Sequence, residues 1–293
     1  MFDVHGRIKC GTIATPDFNG SLADWSDGLQ LDVVADTKVN ADLAESWGTP
    51  RLLGARTALL APKSGVPVYI RLVEQPAVLA HLPLRTFGWA SFEIAVRDVL
   101  SLRRRLDGSR FRIIAEPDAG ALPMQVTGRA GEVLYLNEVR ESPADYDLPL
   151  AMSDVDQMFM AILAAPDRAA ATRFHVDALG LQEGETYVLA YPAINAAFGL
   201  APDHKSSVTM TRAGRMPVTE VDEYPPAATP RMRLPNYLPP GNAIVSLSVA
   251  SLDRINAPFL SPPVSLDEPL YAGRRTAMTV GAAGELIELI EIG

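Results

Sequence analysis

The sequence predicts an α+β fold made of four βαβββ modules, and two recurring patterns support this prediction. In the first, a small residue and a glycine precede an alternating strand, and the glycines are Gly65, Gly131, Gly214 and Gly284. Glycine suits a tight turn because it adopts positive φ without steric cost, and the alternation suits a strand with two different faces. In the second pattern, a strand leads into a helix at an aspartate, which is Asp17, Asp98 or Asp167. A repeat longer than the roughly 20–50 residues of a solenoid indicates tandem duplication.

The first two predicted modules occupy the N-terminal half of the chain. In module 1, strand 7–15 leads into a short helix that Ser21 caps and that ends near Gly28. Its remaining elements are strand 31–36, a helical turn at 40–48, and strands 56–62 and 68–74. In module 2, strand 89–96 leads into a helix that ends at Gly108. Its remaining strands are 110–117, 122–128 and 132–139.

Modules 3 and 4 follow, separated by a proline-rich connection. Strand 158–167 leads into a helix over 168–179 that Gly180 ends, and the strands of module 3 are completed by 186–191, 206–212 and 217–224. Residues 222–241 contain six prolines, which predicts an ordered linker without regular structure. Module 4 has the strand 242–253, only a helical stub that Pro258 breaks, and a closing hairpin within 270–293.

Composition and charge limit the classes of function. The net charge of −9 argues against nucleic acid and anionic membrane surfaces as partners, because both require a basic face. A lone cysteine, Cys10, gives no disulfide framework, and the N-terminus has neither a basic start nor an apolar segment typical of a signal peptide. We therefore predict a cytoplasmic protein without nucleic acid or membrane partners. The sequence leaves open whether two chains form a homodimer.

The order of these modules resembles the vicinal oxygen chelate superfamily of glyoxalase I, bleomycin-resistance proteins and type I extradiol dioxygenases. The similarity lies in the strand-to-helix entries at 14–31 and 164–181 and in the strands GEVLYL and GELIEL after two of the glycines. The resemblance implies that modules pair into two domains whose mixed sheets curve into cups. The polar, proline-bearing segment 140–152 predicts the division, with modules 1 and 2 in residues 1–145 and modules 3 and 4 in 146–293.

The resemblance also implies where a metal would lie, with a histidine on a first strand and a glutamate four residues after a module's glycine. The first-strand positions hold Cys10, Ser91, Met160 and Ile244, and the final-strand positions hold Tyr69, Tyr135, Thr219 or Glu220, and Glu288. No histidine falls on them, so the prediction is a protein without a metal cofactor. Glu288 is then interpreted as a partly solvated carboxylate at a strand end. The alternative is a divalent metal ion bound by Glu288 or His5.

Alternation predicts a polar inner face for the N-terminal cup. The inward residues would be Arg71, Glu93, Tyr69 and Tyr135, with Cys10, Thr12, Ser91 and Asn137. One interpretation is a structural Arg71–Glu93 ion pair, since a buried charge must be paired or used. The other is catalysis, in which Arg71 stabilises developing negative charge, Glu93 is the general acid or base, and the tyrosines donate hydrogen bonds. Cys10, Thr12, Ser91 and Asn137 would then contact substrate.

These observations lead to one functional prediction and two alternatives. We predict a metal-independent lyase or isomerase that moves a proton on a small oxygenated substrate, aromatic compounds included. The first alternative is a ligand-sequestering protein of the bleomycin-resistance type that catalyses nothing. The second is a metal-dependent glyoxalase-like or dioxygenase-like enzyme that uses Glu288. The C-terminal cup is expected to be the less active one.

Overall fold

A computed structural model describes residues 3–79, 81–117 and 123–293. Module 1 comprises β1 (Ile8–Thr15), α1 (Phe18–Ala23), β2 (Asp32–Lys38), α2 (Ala41–Ser46), β3 (Arg56–Ala61) and β4 (Tyr69–Glu74). Module 2 comprises β5 (Gly88–Val96), α3 (Val99–Arg105), β6 (Arg112–Ala115), β7 (Met124–Thr127) and β8 (Val133–Asn137). The predicted strand 122–128 begins at Leu122, which lies outside the described residues.

The second half of the chain repeats this order with one addition. Module 3 comprises β9 (Val155–Ala165), α4 (Arg168–Asp177), β10 (Gln182–Ala190), α5 (Pro192–Phe198), β11 (Lys205–Ala213) and β12 (Met216–Glu223). Module 4 comprises β13 (Gly241–Val249), β14 (Val264–Ser265), β15 (Arg275–Val280) and β16 (Leu286–Glu291). Only a 3₁₀ turn over Leu252–Arg254 stands where the other modules have their helix. The sequence did not predict α5.

The aspartates that follow the first strands cap the helices of modules 1, 2 and 3. Asp17, Asp98 and Asp167 accept hydrogen bonds from the backbone N–H groups three residues later, which would otherwise lack partners. Ser21 was predicted to cap α1, but Asp17 is the cap. Ser21 is buried one turn later, and its hydroxyl is bonded to that of Thr15 at 2.7 Å.

Two eight-stranded mixed sheets result, and their strand orders show which modules pair. The first has the order β14–β15–β16–β13–β1–β4–β3–β2 and joins modules 1 and 4. The second has the order β10–β11–β12–β9–β5–β8–β7–β6 and joins modules 2 and 3. In each sheet the first strands of two modules lie antiparallel, as in β1 with β13 and β5 with β9. We call the inner face of the first sheet the terminal cup and that of the second sheet the central cup.

The predicted pairing of module 1 with 2 and of module 3 with 4 is therefore wrong. Each first strand has an open edge that needs a partner, and β1, β5, β9 and β13 show the same local pattern. Any two of them can satisfy the same backbone hydrogen bonds, so the sequence pattern does not choose between partners. The connections 75–87 and 224–240 both pass from one sheet to the other. The division at residues 145 and 146 falls in the connection between β8 and β9 and stays a prediction.

The largest hydrophobic core joins the two sheets and their helices, and it includes Ile13, Trp25, Phe92 and Leu163. At Gly11 the sheets approach so closely that an added Cβ would lie 2.7 Å from the Met158 Sδ and 2.8 Å from the Phe92 ring. Two smaller cores fill the opposite faces of the sheets, one in each cup. Among the described residues, no helix has the length and apolar character needed to cross a membrane.

Candidate functional site

The terminal cup contains a buried ion pair between Arg71 of β4 and Glu288 of β16. The Arg71 Nη2 lies 2.9 Å from the Glu288 Oε2, and both side chains are almost fully buried. Arg71 also donates through its Nε to the Thr12 Oγ1 at 3.0 Å. Thr12 and Arg71 are direct neighbours in the parallel register of β1 and β4, so their side chains lie on the same face. The strand geometry therefore places this cation in the middle of the cup.

Three further donors complete the shell of Glu288. Its Oε1 accepts the Trp47 indole N–H at 2.8 Å and the Tyr271 hydroxyl at 2.7 Å, and its Oε2 accepts the Ser246 hydroxyl at 2.5 Å. The Arg71 guanidinium lies over the Trp47 ring, 4.4 Å from its centroid. Both carboxylate oxygens are thus satisfied within the protein.

The electrostatics of the terminal cup favour fully charged partners. Burial by itself would raise the pKa of Glu288, but the Arg71 charge and the surrounding donors hold it below its usual value. Burial raises the pKa of the nearby Cys10 thiol to about 12, so this cysteine is neutral. A neutral buried thiol packs as a small apolar side chain. The terminal cup is therefore a packed interior with a neutralised charge pair.

These contacts correct two expectations. The predicted Arg71–Glu93 ion pair does not form, because Arg71 belongs to the terminal cup and Glu93 to the central cup. Glu288 is fully buried rather than partly solvated. Arg71, Tyr69, Cys10 and Thr12 share the terminal cup, as alternation along β1 and β4 predicted. Tyr69 is only partly buried there.

The central cup holds the other half of the predicted site. Glu93 of β5 and Tyr135 of β8 are direct neighbours in a parallel register, and Asn137 follows on the same face of β8. The Asn137 Nδ2 donates to the Glu93 Oε1 at 2.5 Å. Ser91 is completely buried on β5, and its hydroxyl has no hydrogen-bond partner among the residues that the structure describes.

Module 3 brings two more carboxylates into the central cup. Glu220 and Asp222 alternate on one face of β12, and the Tyr191 hydroxyl donates to the Glu220 Oε1 at 2.5 Å. Tyr191 immediately precedes α5, the helix that the sequence did not predict. Asp222 shares a carboxyl–carboxyl hydrogen bond with Glu220, which needs a proton on one of the two. The buried Tyr224 hydroxyl has no hydrogen-bond partner within the described residues.

Burial makes these acids weak. It raises the pKa of Glu93 to about 8, with a further contribution from Glu220, while Asn137 opposes the shift. Burial also raises the pKa of Glu220, and burial together with the Glu220 charge raises that of Asp222 well above its usual value. Within 3–79, 81–117 and 123–293, no Lys or Arg forms an ion pair with any of the three. Glu93 therefore titrates near neutral pH, and the raised pKa values of Glu220 and Asp222 favour their protonated forms.

Sequence reasoning found part of this constellation. Glu93, Tyr135 and Asn137 follow from alternation on β5 and β8, and the pattern TEVDEY on β12 would have given Asp222 and Tyr224 by the same rule. Tyr191, Trp47 and Tyr271 lie outside the regular strands. Strand alternation therefore does not assign them to a cup, and only the tertiary structure reveals their contacts.

The potential metal ligands of the described residues do not form a metal site. No group of three His, Cys, Asp or Glu side chains converges to hold one in the described part of the chain. In the terminal cup, all four contacts of Glu288 come from Arg71, Trp47, Tyr271 and Ser246. Both ring nitrogens of His5 are bonded to backbone groups of Leu179 and Ala250. The residues as arranged do not fit a resident divalent ion.

Comparison with solved structures identifies the fold. A variant of glyoxalase I from Zea mays matches with a TM-score of 0.63 and 16% identity, over 98% of this chain and 92% of that chain. Glyoxalase I itself from the same organism matches with a TM-score of 0.62 and 14% identity, over 98% and 92%. A putative dioxygenase from Bacillus subtilis subsp. subtilis str. 168 matches with a TM-score of 0.63 and 12% identity, over 99% and 86%.

This chain has the vicinal oxygen chelate fold. The match extends over nearly the whole length of both chains, so the four-module architecture is shared and not only a single βαβββ unit. No protein-family model matches the sequence. No curated protein matches it either. The fold is therefore shown by structure, and the chemistry has to be argued from the two cups.

Proposed function

We propose that this vicinal oxygen chelate protein is a metal-independent lyase or isomerase that transfers a proton on a small oxygenated substrate in the central cup. The observation that carries the proposal is the cluster of Glu93, Glu220 and Asp222, three buried carboxyls without a cationic partner among the described residues. Perturbed acids of this kind are typical of proton-transfer sites. In the terminal cup the corresponding carboxylate is neutralised by Arg71.

Glu93 is the proposed general base. A carboxylate with a pKa of about 8 is a much stronger base than an ordinary glutamate and still titrates near neutral pH. Asn137 orients it through its hydrogen bond to the Oε1. Glu93 removes a proton from a substrate carbon next to a carbonyl, and the C–H electron pair moves onto the carbonyl oxygen as an enolate.

Tyr135 and the module 3 acids complete the proposed step. Tyr135 lies beside Glu93 in the strand register. It stays protonated because burial raises its pKa well above its usual value. Its hydroxyl donates a hydrogen bond to the enolate oxygen. Return of the proton to the former carbonyl carbon, with transfer of the adjacent hydroxyl proton to the enolate oxygen, gives isomerisation. Loss of a leaving group from the β carbon gives elimination. A protonated Asp222 or Glu220 supplies the proton that the leaving group takes up.

A ligand-binding function is the second candidate, and the apolar part of the central cup supports it. Met160 and Ile162 of β9, Ile194 of α5 and Phe198 pack in the same interior as the acids. An apolar wall with a few convergent polar groups is the usual composition of a binding pocket, catalytic or not. The two candidates differ only in whether Glu93 moves a proton.

Solvent deuterium exchange distinguishes the two candidates. The protein is incubated in D2O with a panel of small hydroxy-carbonyl and keto compounds and hydroxylated aromatics, and loss of the C–H signal is followed by 1H NMR. We expect catalysed exchange by the wild type and a loss of about 100-fold or more in Glu93→Gln. Glu132→Gln is the matched control, since Glu132 is also buried with a raised pKa of about 7 but lies in the turn before β8.

Three outcomes of this experiment would each contradict part of the proposed function. Exchange by Glu93→Gln at the wild-type rate contradicts the assignment of the base. Saturable binding of panel compounds without exchange by the wild type supports the binding function instead. Loss of exchange on chelation, restored by a divalent ion, would contradict metal independence.

A further inference from the structure

A cavity of about 410 Å³ lies at the seam between the two sheets, where residues of β5 and β13 meet. It is bounded by the start of β5 at Gly88 and Trp89, by Asn242 and Ala243 of β13, and by the turn 282–285 before β16. The proline-rich connection between β12 and β13 closes it from the other side. We call it the seam cavity. Its volume is in the range of small-molecule sites, roughly 300–1,000 Å³.

Arg231 brings a poorly compensated positive charge to the wall of the seam cavity. Its guanidinium donates to the Thr86 Oγ1 at 2.9 Å and to the carbonyl oxygens of Asn242 and Trp89 at 2.8 Å each. No carboxylate lies within ion-pair distance of it among the residues that the structure describes. Burial lowers its pKa to about 10, so it remains charged at neutral pH. Its two terminal nitrogens each retain an N–H for another acceptor.

Arg233, two residues further along the connection, lines the same cavity and is exposed. The remaining wall is largely apolar and includes Pro166, Pro239 and Leu286. Two arginines that flank an apolar cavity favour a ligand with a compact anionic group on an apolar body. Arginine binds carboxylates well because its planar fork can donate two parallel hydrogen bonds.

Glu285 belongs to the wall of the seam cavity, but its carboxyl is turned toward the buried His175, which does not line the cavity. Its side chain has no exposed area, and its Oε2 accepts the Ala283 backbone N–H at 2.8 Å. Its Oε1 has no hydrogen-bond partner within the described ranges and lies 3.7 Å from the Nε2 of the fully buried His175, too far for a hydrogen bond. Burial raises the pKa of Glu285 to about 7 and lowers that of His175 to about 4, so the carboxyl titrates near neutral pH while the ring beside it is neutral.

The duplicated turn in module 2 shows the same construction with its polar groups satisfied. Glu132 also folds back onto a glycine and accepts the Ala130 N–H at 2.9 Å, and its other oxygen accepts the Trp25 indole N–H at 3.3 Å. The neighbouring Arg129 is paired with Asp17 and Asp24. Protein groups thus satisfy both the carboxylate and the arginine of the module 2 turn, whereas Arg231 and Arg233 at the module 4 turn have no carboxylate partner among the described residues.

We propose that the seam cavity is a second binding site, which takes a small organic carboxylate. The ligand carboxylate accepts hydrogen bonds from Arg231 and Arg233. The apolar body packs against the prolines and Leu286. None of the residues that line this cavity is a proposed catalytic residue of the central cup, so either proposal can fail without the other.

The three tryptophans allow a local test with benzoate as the probe. The Trp89 indole N–H donates to the Leu286 carbonyl at 2.8 Å, and both residues line the cavity. Trp25 lies at the module 2 turn and Trp47 in the terminal cup. Benzoate added to 15N-labelled protein should shift the Trp89 indole resonance saturably and leave those of Trp25 and Trp47 in place. Trp89→Phe assigns the resonance.

Charge variants and a neutral probe complete the test. Arg233→Glu should weaken benzoate binding about tenfold or more, because it replaces an attractive charge by a repulsive one at an exposed position. Arg51→Glu, an exposed arginine outside the cavity, is the matched control and should leave binding unchanged. Benzamide should bind at least about tenfold more weakly than benzoate.

Three results would overturn the site. They are a Trp89 resonance that does not move with benzoate up to about 50 mM, equal affinity for benzamide, and unchanged binding by Arg233→Glu. Binding that survives Arg233→Glu but is lost in Glu93→Gln would place benzoate in the central cup instead.

Discussion

The terminal and central cups have the same strand arrangement, but they differ in how their buried carboxyl groups are stabilised. In the terminal cup, Glu288 meets the Arg71 guanidinium and three neutral donors, so its negative charge is stabilised. In the central cup, Glu93, Glu220 and Asp222 share an interior with tyrosines and without an ion-paired cation among the described residues, so their neutral forms are stabilised. Charge compensation, rather than backbone fold, separates a packed interior from a candidate proton-transfer site.

The largest expected effect concerns the cation of the terminal cup. Arg71→Met leaves Glu288 buried without its counter-charge and should lower the free energy of unfolding by about 3–5 kcal/mol. Urea unfolding at pH 7 measures the loss. Arg56→Met is the matched control, since its partner Asp36 is exposed, and it should cost at most about 1 kcal/mol.

The double variant Arg71→Met/Glu288→Leu sharpens the result, because it removes both charges. It should recover a large part of the loss, since a buried ion pair can often be replaced by apolar residues without a net cost. Equal stability of the single and double variants would show that the destabilisation has another origin.

The second prediction concerns the pH dependence of stability in the central cup. The pKa of Glu93 is about 8 in the folded state and ordinary in the unfolded state, so the folded protein binds more protons between these two values. Stability therefore falls as pH rises from about 4.5 to about 8, and Glu93→Gln removes this contribution. The variant should gain roughly 2–4 kcal/mol relative to the wild type between pH 5 and pH 9.

Urea unfolding of both proteins at these two pH values provides the measurement. The difference between variant and wild type isolates Glu93 from the other buried acids. A difference that does not change with pH would mean that Glu93 ionises normally in the folded protein.

A smaller effect is expected for the tyrosine of the terminal cup. Tyr271→Phe removes the hydroxyl that donates to Glu288 at 2.7 Å and accepts from the Arg71 Nη1 at 2.5 Å. We expect a loss of about 1–3 kcal/mol in the free energy of unfolding, because both partners are charged and buried. Tyr237→Phe, a partly buried tyrosine at the edge of the same core, is the comparison variant. Equal losses in the two variants would argue against a role for the hydroxyl.

The smallest expected effect concerns Cys10, which the sequence placed among the substrate contacts. The thiol is fully buried and its pKa is raised to about 12, so almost no thiolate exists at pH 8. Ellman's reagent should therefore react with Cys10 only in denaturant. Rapid reaction of the native protein would mean that the terminal cup opens, and would restore it as a candidate binding site.

The fold was largely predictable because its signals are local. The glycine turns, the aspartate caps and the strand alternation each depend on residues within about one turn or a few strand positions. They located the modules and the inward faces of β4, β5 and β8. Helix α5 was missed although Ala193, Ile194, Ala197 and Phe198 recur at helical spacing, because seven residues make only two turns, and its position over the central cup depends on packing.

The sequence by itself determined what each module is, and the tertiary structure decided which modules meet. Side-chain alternation fixes the face of a strand on which Arg71 or Glu93 lies, since that period is a property of the extended backbone. It does not identify the neighbouring strand. Arg71 meets Glu288 across 217 positions of the chain because β1 pairs with β13, and the first strands of all four modules could have made equivalent backbone hydrogen bonds. The choice between them rests on the burial of whole sheets, which no local pattern encodes.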